Sequence, residues 1–286
     1  MFKVAILGCE NSHANQFLKL AIQDKEYTDV EFVGVYSDDT EAANKLADEF
    51  GVYVMQSYDE LVGKVDGIII TARDGDNHLK YAKPYFESGI PMFVDKPITC
   101  TEADALELKA LAAKHNVRLC GGSVLKFPTQ LQKLKKAVAE KTYGNLYGAV
   151  LRAPVNLKNE YGDFYFYSQH LVAMMCELFG FYPNSVIAHE LNGTVNCTVR
   201  YDACDVNLIY TSESYDYYAA ISCKDGFPIE KLSLEGCFKI EFEEFYDLLL
   251  GKDQPESTED FIAPVFIINA LDRALKSGKE EQVNRQ

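Results

Sequence analysis

The segment Ile6–His13, ILGCENSH, sets a glycine directly after a short apolar run. A dinucleotide-binding turn begins this way, because Gly8 has no side chain to stop the backbone approaching a pyrophosphate at the next helix N-terminus. In the G-x-G-x-x-G register, Glu10 and His13 occupy the second and third glycine positions. By itself the segment fits either a nucleotide turn or a tight strand-to-helix turn without a ligand. The second apolar run ends in VYSDD, which puts Ser37 or Asp38 where an acidic side chain hydrogen-bonds the adenosine ribose. A carboxylate there repels the extra phosphate of NADP, so NAD is the favoured cofactor and NADP the less favoured one. In FVDKPIT, Lys96 leaves an apolar run and is locked before Pro97 at the carboxyl end of a strand, where a nicotinamide ring would lie. Burying an ammonium at such a place is costly unless it is used. TARDGDNH is read as a loop over the cofactor, with Asp76 or Asn77 capping the following helix. A calcium loop is excluded, because the twelfth position from Asp74 holds Tyr85 and not glutamate.

The elements that must position these residues alternate over the first 120 or so positions. KVAIL, EFVGVY, GIIIT, MFVD and VRLCGG read as strands, separated by segments of helical period, the pattern of a parallel sheet with crossover helices. Ser12 is a candidate N-cap for the first helix and Thr40 for the second, which Gly51 closes. A third helix is expected from Leu79 to Ser88, and Thr101 with Asp104 opens a fourth in the manner of a capping box. The pattern changes after Gly121-Gly122. A helix follows Pro128, then the strand GAVLRAPV, and a tyrosine-rich stretch leads into the helix QHLVAMMCELFG. Several strand-like runs without intervening helices then suggest an antiparallel sheet, and the chain ends in helices. The expected class is therefore α/β. Residues 1–122 would form a dinucleotide-binding Rossmann domain, and 123–286 a substrate-binding and oligomerisation domain with a mostly antiparallel open sheet. Ligands are expected at the carboxyl ends of the parallel strands, in the cleft between domains.

A formal net charge of −15 argues against nucleic acid or an anionic membrane as partner, since both need a basic face. No run approaches the roughly 20 apolar residues of a membrane-spanning helix, and the N-terminal residues lack the pattern of a signal peptide, so a cytoplasmic location is expected. The eight cysteines form no C-x-x-C pair and read as reduced thiols. The Asn-x-Thr triplets at Asn192 and Asn196 are read as chance. No zinc-type spacing and no G-x-S-x-G elbow is present, and no metal is expected.

The run from GIIIT through DNHLKYAKPYFESGIPMFVDKP resembles the Gfo/Idh/MocA family of oxidoreductases, in which a βα loop, a histidine opening a helix, a helix ending in glycine and Glu-Lys-Pro follow one another. Asp95-Lys96-Pro97 is a conservative variant of that tripeptide. VGVYSDDTEAANKLADEFGV and GGSVLKFP are also similar to the family, and the likeness extends more faintly to the end of the chain. A divergent branch resembles Gly-x-Asp-x-Ser-His in the first turn, which matches Glu10, Ser12 and His13. The resemblance implies that Asn11, Ser12 and His13 meet the phosphates through helix N-terminal amides, the imidazole being a further candidate. Glu10 must then turn away or accept neighbouring amides. It also assigns Thr71, Ala72, Arg73, His78 and Asp95 to the cofactor side, and gives Lys96 contact with the nicotinamide and the reacting oxygen. The family's second signature, Asp-x-x-x-His, puts His170 forward as the acid/base at a helix start, with Phe166 in the aspartate position. Asp163, Tyr165 and Tyr167 are the candidate substitutes.

The leading reading is an NAD(P)-dependent oxidoreductase acting on a sugar, polyol or related small metabolite, as a homo-oligomer, dimer or tetramer. A non-catalytic nucleotide or metabolite sensor on the same fold is the alternative. A lyase or hydrolase using bound NAD transiently is a third reading.

Overall fold

The computed structural model of the chain describes residues 1–212 and 214–285. Two compact units are present. One comprises Met1–Thr99, Ala103–Gly122 and Phe238–Phe261; the other comprises Cys100–Glu102, Ser123–Cys237 and the chain from Ile262 onward.

The first unit is built from β1 (Phe2–Leu7), α1 (Ser12–Leu18), β2 (Val30–Tyr36), α2 (Thr40–Phe50), β3 (Gly67–Ile70), α3 (Asp76–Ala82), β4 (Met92–Asp95), most of α4 (Glu102–His115) and β5 (Leu119–Gly122). Its five strands are parallel, in the order β2-β1-β3-β4-β5. Every residue of β3, β4 and β5 is buried, which is why these strands read as continuous apolar runs without alternation. The expected caps move by one residue. Asn11, extended at φ −115° and ψ 177°, accepts the His13 amide and caps α1, so Ser12 is its first helical residue. Asp39 caps α2 by accepting the Ala42 amide, where Thr40 was expected. Helix α3 starts at Asp76 and not Leu79, passing into a 3-10 turn over Lys83–Ser88. Neither Asp76 nor Asn77 is its cap: Gly75 holds that position, and Asp74 Oδ1 accepts the Asp76 amide.

The second unit contains α5 (Thr129–Ala139), β6 (Leu146–Pro154), α6 (Tyr165–Phe179), β7 (Ser185–Leu191), β8 (Thr194–Arg200), β9 (Asp205–Thr211), β10 (Tyr218–Cys223) and β11 (Ile229–Lys231). Its seven-stranded sheet has the order β11-β10-β6-β9-β8-β7, closed by the short β12 (Glu281–Gln282). All pairs are antiparallel except β6 with β9, which is parallel. Asn192 and Gly193, both at positive φ, make the two-residue hairpin between β7 and β8, which gives the first Asn-x-Thr triplet a backbone role.

Helix α7 (Cys237–Leu249) precedes α8 (Thr258–Ser277). Residues 238–261, placed in the second domain by the sequence reading, group with the first unit. The physical reason is the apolar face of α7: Phe242, Phe245 and Leu248 are fully buried in one cluster with Val4, Ile6, Phe17, Tyr27, Phe32 and Phe93. Phe242 stacks at tilted or edge geometry on Phe17, Tyr27 and Phe32. All eight cysteines are free thiols. Among the described residues no helix is long and apolar enough to cross a membrane.

Removing the Phe242 ring leaves a cavity in this cluster. Phe242→Ala should cost about 3–5 kcal/mol in denaturant unfolding, whereas Tyr147→Ala, at a side chain 63% exposed, should stay within about 0.5 kcal/mol of wild type.

Candidate active site

Strands β1, β2, β3 and β4 end in register, with Leu7 opposite both Tyr36 and Ile70, and Ile70 opposite Val94. Gly8, Ser37 and Thr71, just beyond their strands, and Asp95–Lys96, at the end of β4, therefore share one edge of the parallel sheet, where ligands of such sheets bind. Gly8 adopts φ +74°, and a Cβ on it would lie 2.4–2.5 Å from Ala72 atoms, so no other residue fits. Its carbonyl accepts the Thr71 hydroxyl at 2.8 Å, tying the ends of β1 and β3 together.

Glu10 accepts two hydrogen bonds. Its Oε1 takes the Arg73 amide at 2.8 Å and its Oε2 the Ser37 hydroxyl at 2.7 Å. The carboxylate thus links the turn after β1 to the ends of β2 and β3, and is offset by an amide dipole and a hydroxyl. The Ser37 oxygen in turn accepts the Asp39 amide at 3.0 Å. Asp38 accepts the hydroxyls of Tyr36 at 2.6 Å and Tyr81 at 2.8 Å, with the Lys80 ammonium at 3.6 Å. Those bonds, Tyr36's first, hold its carboxyl below the usual range. A cavity of about 320 Å³ opens beside it, lined by the end of β2, Thr40 and Asn44 of α2, and Val54–Gln56; small-molecule pockets begin near that size.

Asp95 is fully buried. Its Oδ2 accepts the Asn11 side-chain amide at 2.8 Å and lies 3.3 Å from His13 Nδ1. On the other side of the imidazole, Nε2 is 3.1 Å from Glu241 Oε2, delivered by α7. The ring is also edge-packed by Phe17 and Phe238. His13 is therefore not aimed at a phosphate: its imidazole is turned into the unit's interior, and its amide is taken by the Asn11 cap. Burial opposes its charge, but Asp95 and Glu241 outweigh that and raise its pKa above the ordinary histidine value. Lys96, 5% exposed, has its pKa lowered, by burial first and by Arg73, against the pull of Asp95 and Glu241. His78 is fully buried, and Nε2 donates to the Ala72 carbonyl at 2.8 Å. Burial depresses its pKa, so it is a neutral ring bracing the 71–75 loop from within. Asn11, with Ser12 exposed beside it, is left at the surface of the turn.

In the second unit, His170 lies in the second turn of α6, because the helix begins at Tyr165 and takes in the aromatic run that the sequence reading left outside it. It is not a helix-start imidazole. Its Nδ1 shares a 2.8 Å hydrogen bond with Ser123 Oγ, which fixes the ring. Tyr167 packs edge-on at 5.2 Å and Tyr217 at 6.1 Å between centroids. Of the three candidate substitutes for the missing aspartate, Tyr167 is in ring contact with His170. Asp163 is committed to the Asn159 amide at 2.9 Å, and the Tyr165 hydroxyl faces Asn269 and Asp272 at 3.3 Å. Sequence reasoning missed Glu241, Ser123 and Tyr217. Glu241 and Tyr217 carry no motif, Ser123 lies in the GGSVLKFP segment without being singled out there, and each is joined to its partner only by the fold.

A parallel five-stranded unit with a glycine turn and a buried lysine at its strand ends defines a dinucleotide-binding Rossmann protein. Residues 2–123 match the family model described as the oxidoreductase family with NAD-binding Rossmann fold, Gfo/Idh/MocA. A curated relative, the uncharacterized oxidoreductase YhhX of Escherichia coli K12, is 26% identical over 169 residues. That match spans 56% of this chain and about half, 48%, of the relative. Among solved structures, myo-inositol 2-dehydrogenase from Lactobacillus plantarum superposes with a TM-score of 0.86 at 14% identity, over 99% of each chain. Scyllo-inositol dehydrogenase from Lactobacillus casei, solved with NAD(H) and scyllo-inositol, gives 0.84 at 16% identity, also over 99% of each chain. At these identities the likeness is one of fold.

Two outcomes follow from the charge pattern. Glu10→Gly should lose about 1–3 kcal/mol of stability in denaturant unfolding, because it abandons the Ser37 hydroxyl and the Arg73 amide. The folded pKa of His13 is raised, so its contribution is complete below about pH 6.5, the unfolded value, and is lost as the pH rises through the folded value. The stability difference between wild type and His13→Gln should therefore shrink on going from pH 6 to alkaline pH.

Proposed function

We propose that the protein is an NAD-dependent oxidoreductase acting on a polyol, sugar or related small metabolite, in which Lys96 and His170 handle the reacting hydroxyl. The observation that carries this reading is Lys96, a buried lysine with a lowered pKa at the end of β4, beside a buried carboxylate. A lysine of that kind exchanges a proton nearer neutral pH than an exposed one.

The residues present fit a dinucleotide on two counts. Gly8 keeps the first turn open to close backbone approach, and the Asp38 carboxylate stands braced by two tyrosines beside a cavity at the end of β2. The α1 amides and Asn11 would hold the phosphates and Asp38 the ribose hydroxyls, its charge disfavouring NADP. When bound, the nicotinamide would supply the hydride acceptor. Lys96 is assigned to bind the reacting oxygen and stabilise its charge. His170 takes the hydroxyl proton at Nε2, with Nδ1 oriented by Ser123, and Tyr167 is the neighbouring donor where Phe166 replaces the family's aspartate. Val150, Ile187 and Leu191, exposed on β6 and β7, support a homo-oligomer, dimer or tetramer.

Phe166 also favours a second reading, a sensor that binds nucleotide without turnover. Titration with NADH and NADPH by fluorescence or thermal shift should show NADH binding more tightly; no stabilisation by either at millimolar concentration overturns the nucleotide reading. With an inositol and sugar panel, Lys96→Ala and His170→Ala should each lower kcat/KM by about 10²–10⁴. Binding of NADH with no turnover of any panel member would favour the sensor.

A further inference from the structure

The strand ends hold a charge cluster that the nucleotide reading does not use. His13 lies between two carboxylates from distant parts of the chain, Asp95 at the end of β4 and Glu241 on α7, and all three side chains are at most 4% exposed. A neutral imidazole has one N–H and can donate to one acceptor. Here each ring nitrogen lies within ion-pair distance of a carboxylate oxygen, at 3.3 and 3.1 Å, an arrangement that an imidazolium answers at both nitrogens and a neutral ring at one. Phe17 and Phe238 pack edge-on against the ring and carry no charge.

We propose that His13 and Glu241 are positioning residues for Lys96: the His13 imidazolium balances the Asp95 and Glu241 carboxylates and so sets the field in which the lysine ammonium is held. The charged groups acting on Lys96 are Asp95, Arg73 and Glu241, and those acting on His13 are Asp95, Glu241 and Lys96. With His13 and Lys96 both positive, the two cations match the two buried carboxylates. Loss of the His13 charge leaves both anions to the lysine. Docking of α7, through Phe242 in the core beside Glu241, thereby becomes a condition for the charge state at the end of β4. The bearing of this on turnover rests on the reading of Lys96 given above; the charge balance itself does not.

The test is NMR of the full chain labelled with ¹³C/¹⁵N-histidine and ¹³C-lysine, so that it does not depend on activity. In the wild type, the His13 midpoint should lie above the ordinary histidine value of about 6.5. Glu241→Gln should lower its midpoint by about 1 unit or more. In His13→Gln, the Lys96 Cε titration should move to higher pH, since a cation has gone and two anions remain; a purely structural role would leave it in place. Where turnover is measurable, the basic limb of kcat/KM should move the same way. A His13 midpoint at or below the ordinary value in the wild type overturns the proposal, as does a Lys96 midpoint unmoved or lowered in His13→Gln. Should His13→Gln fail to fold, the wild-type and Glu241→Gln histidine spectra decide. Absence of turnover in the wild type would count against the oxidoreductase reading and leave these results standing.

Discussion

The Asp95 carboxylate, fully buried at the end of β4, is the group around which the first unit's functional edge is arranged. A buried anion needs compensating donors and charge, because desolvation is not recovered otherwise. Asn11 supplies a side-chain amide, His13 a ring nitrogen at 3.3 Å with its pKa raised, and Lys96 follows directly in the chain. Asn11 at the same time caps α1, so one residue fixes both the start of that helix and the acid at the end of β4. The turn after β1, the end of β4 and α7 consequently meet at one group of buried polar side chains.

The carboxylate in the glycine-rich turn illustrates a second constraint. A glycine in that place lets a pyrophosphate close in, whereas Glu10 uses its side chain to stitch the ends of β2 and β3 to the turn. Its negative charge is spent on a backbone amide and a serine hydroxyl before any ligand arrives. The arrangement exchanges close backbone approach for rigidity of the three strand ends. It also explains why the segment departs from the three-glycine fingerprint without losing Gly8, whose conformation and contact with Ala72 leave no alternative.

The family-model match covers residues 2–123, and two solved structures superpose over nearly the whole chain at 14–16% identity. Such agreement follows from the apolar pattern of strands and helix faces, which many sequences satisfy. Chemistry depends on individual side chains. Phe166 and Glu10 depart from the pattern the sequence resembles, as Asp95 does conservatively, and all three lie beside proposed functional groups. Around His170, rings of Tyr167 and Tyr217 and the hydroxyl of Ser123 occupy the surroundings.

The sequence by itself determined the five parallel strands, the glycine turn, the lysine before Pro97 and the change of pattern at Gly122. Each is written in local order: two-faced burial gives continuous apolar runs, and turns demand particular residues. It also limited the helix starts to within a few residues, missing α1 and α2 by one because Asn11-Ser12 and Asp39-Thr40 each offer two competent caps side by side. The start of α6 was missed because the half-buried aromatic run Tyr165–Tyr167, read as a lead-in, forms the helix's first turn. Only the tertiary structure decided that α7 returns to the first unit and brings Glu241 to His13, that the His13 ring turns inward, and that Tyr167, not Asp163 or Tyr165, accompanies His170. The physical reason is that charge pairing and ring packing join residues far apart in the chain, and no local period records which remote side chain will meet which.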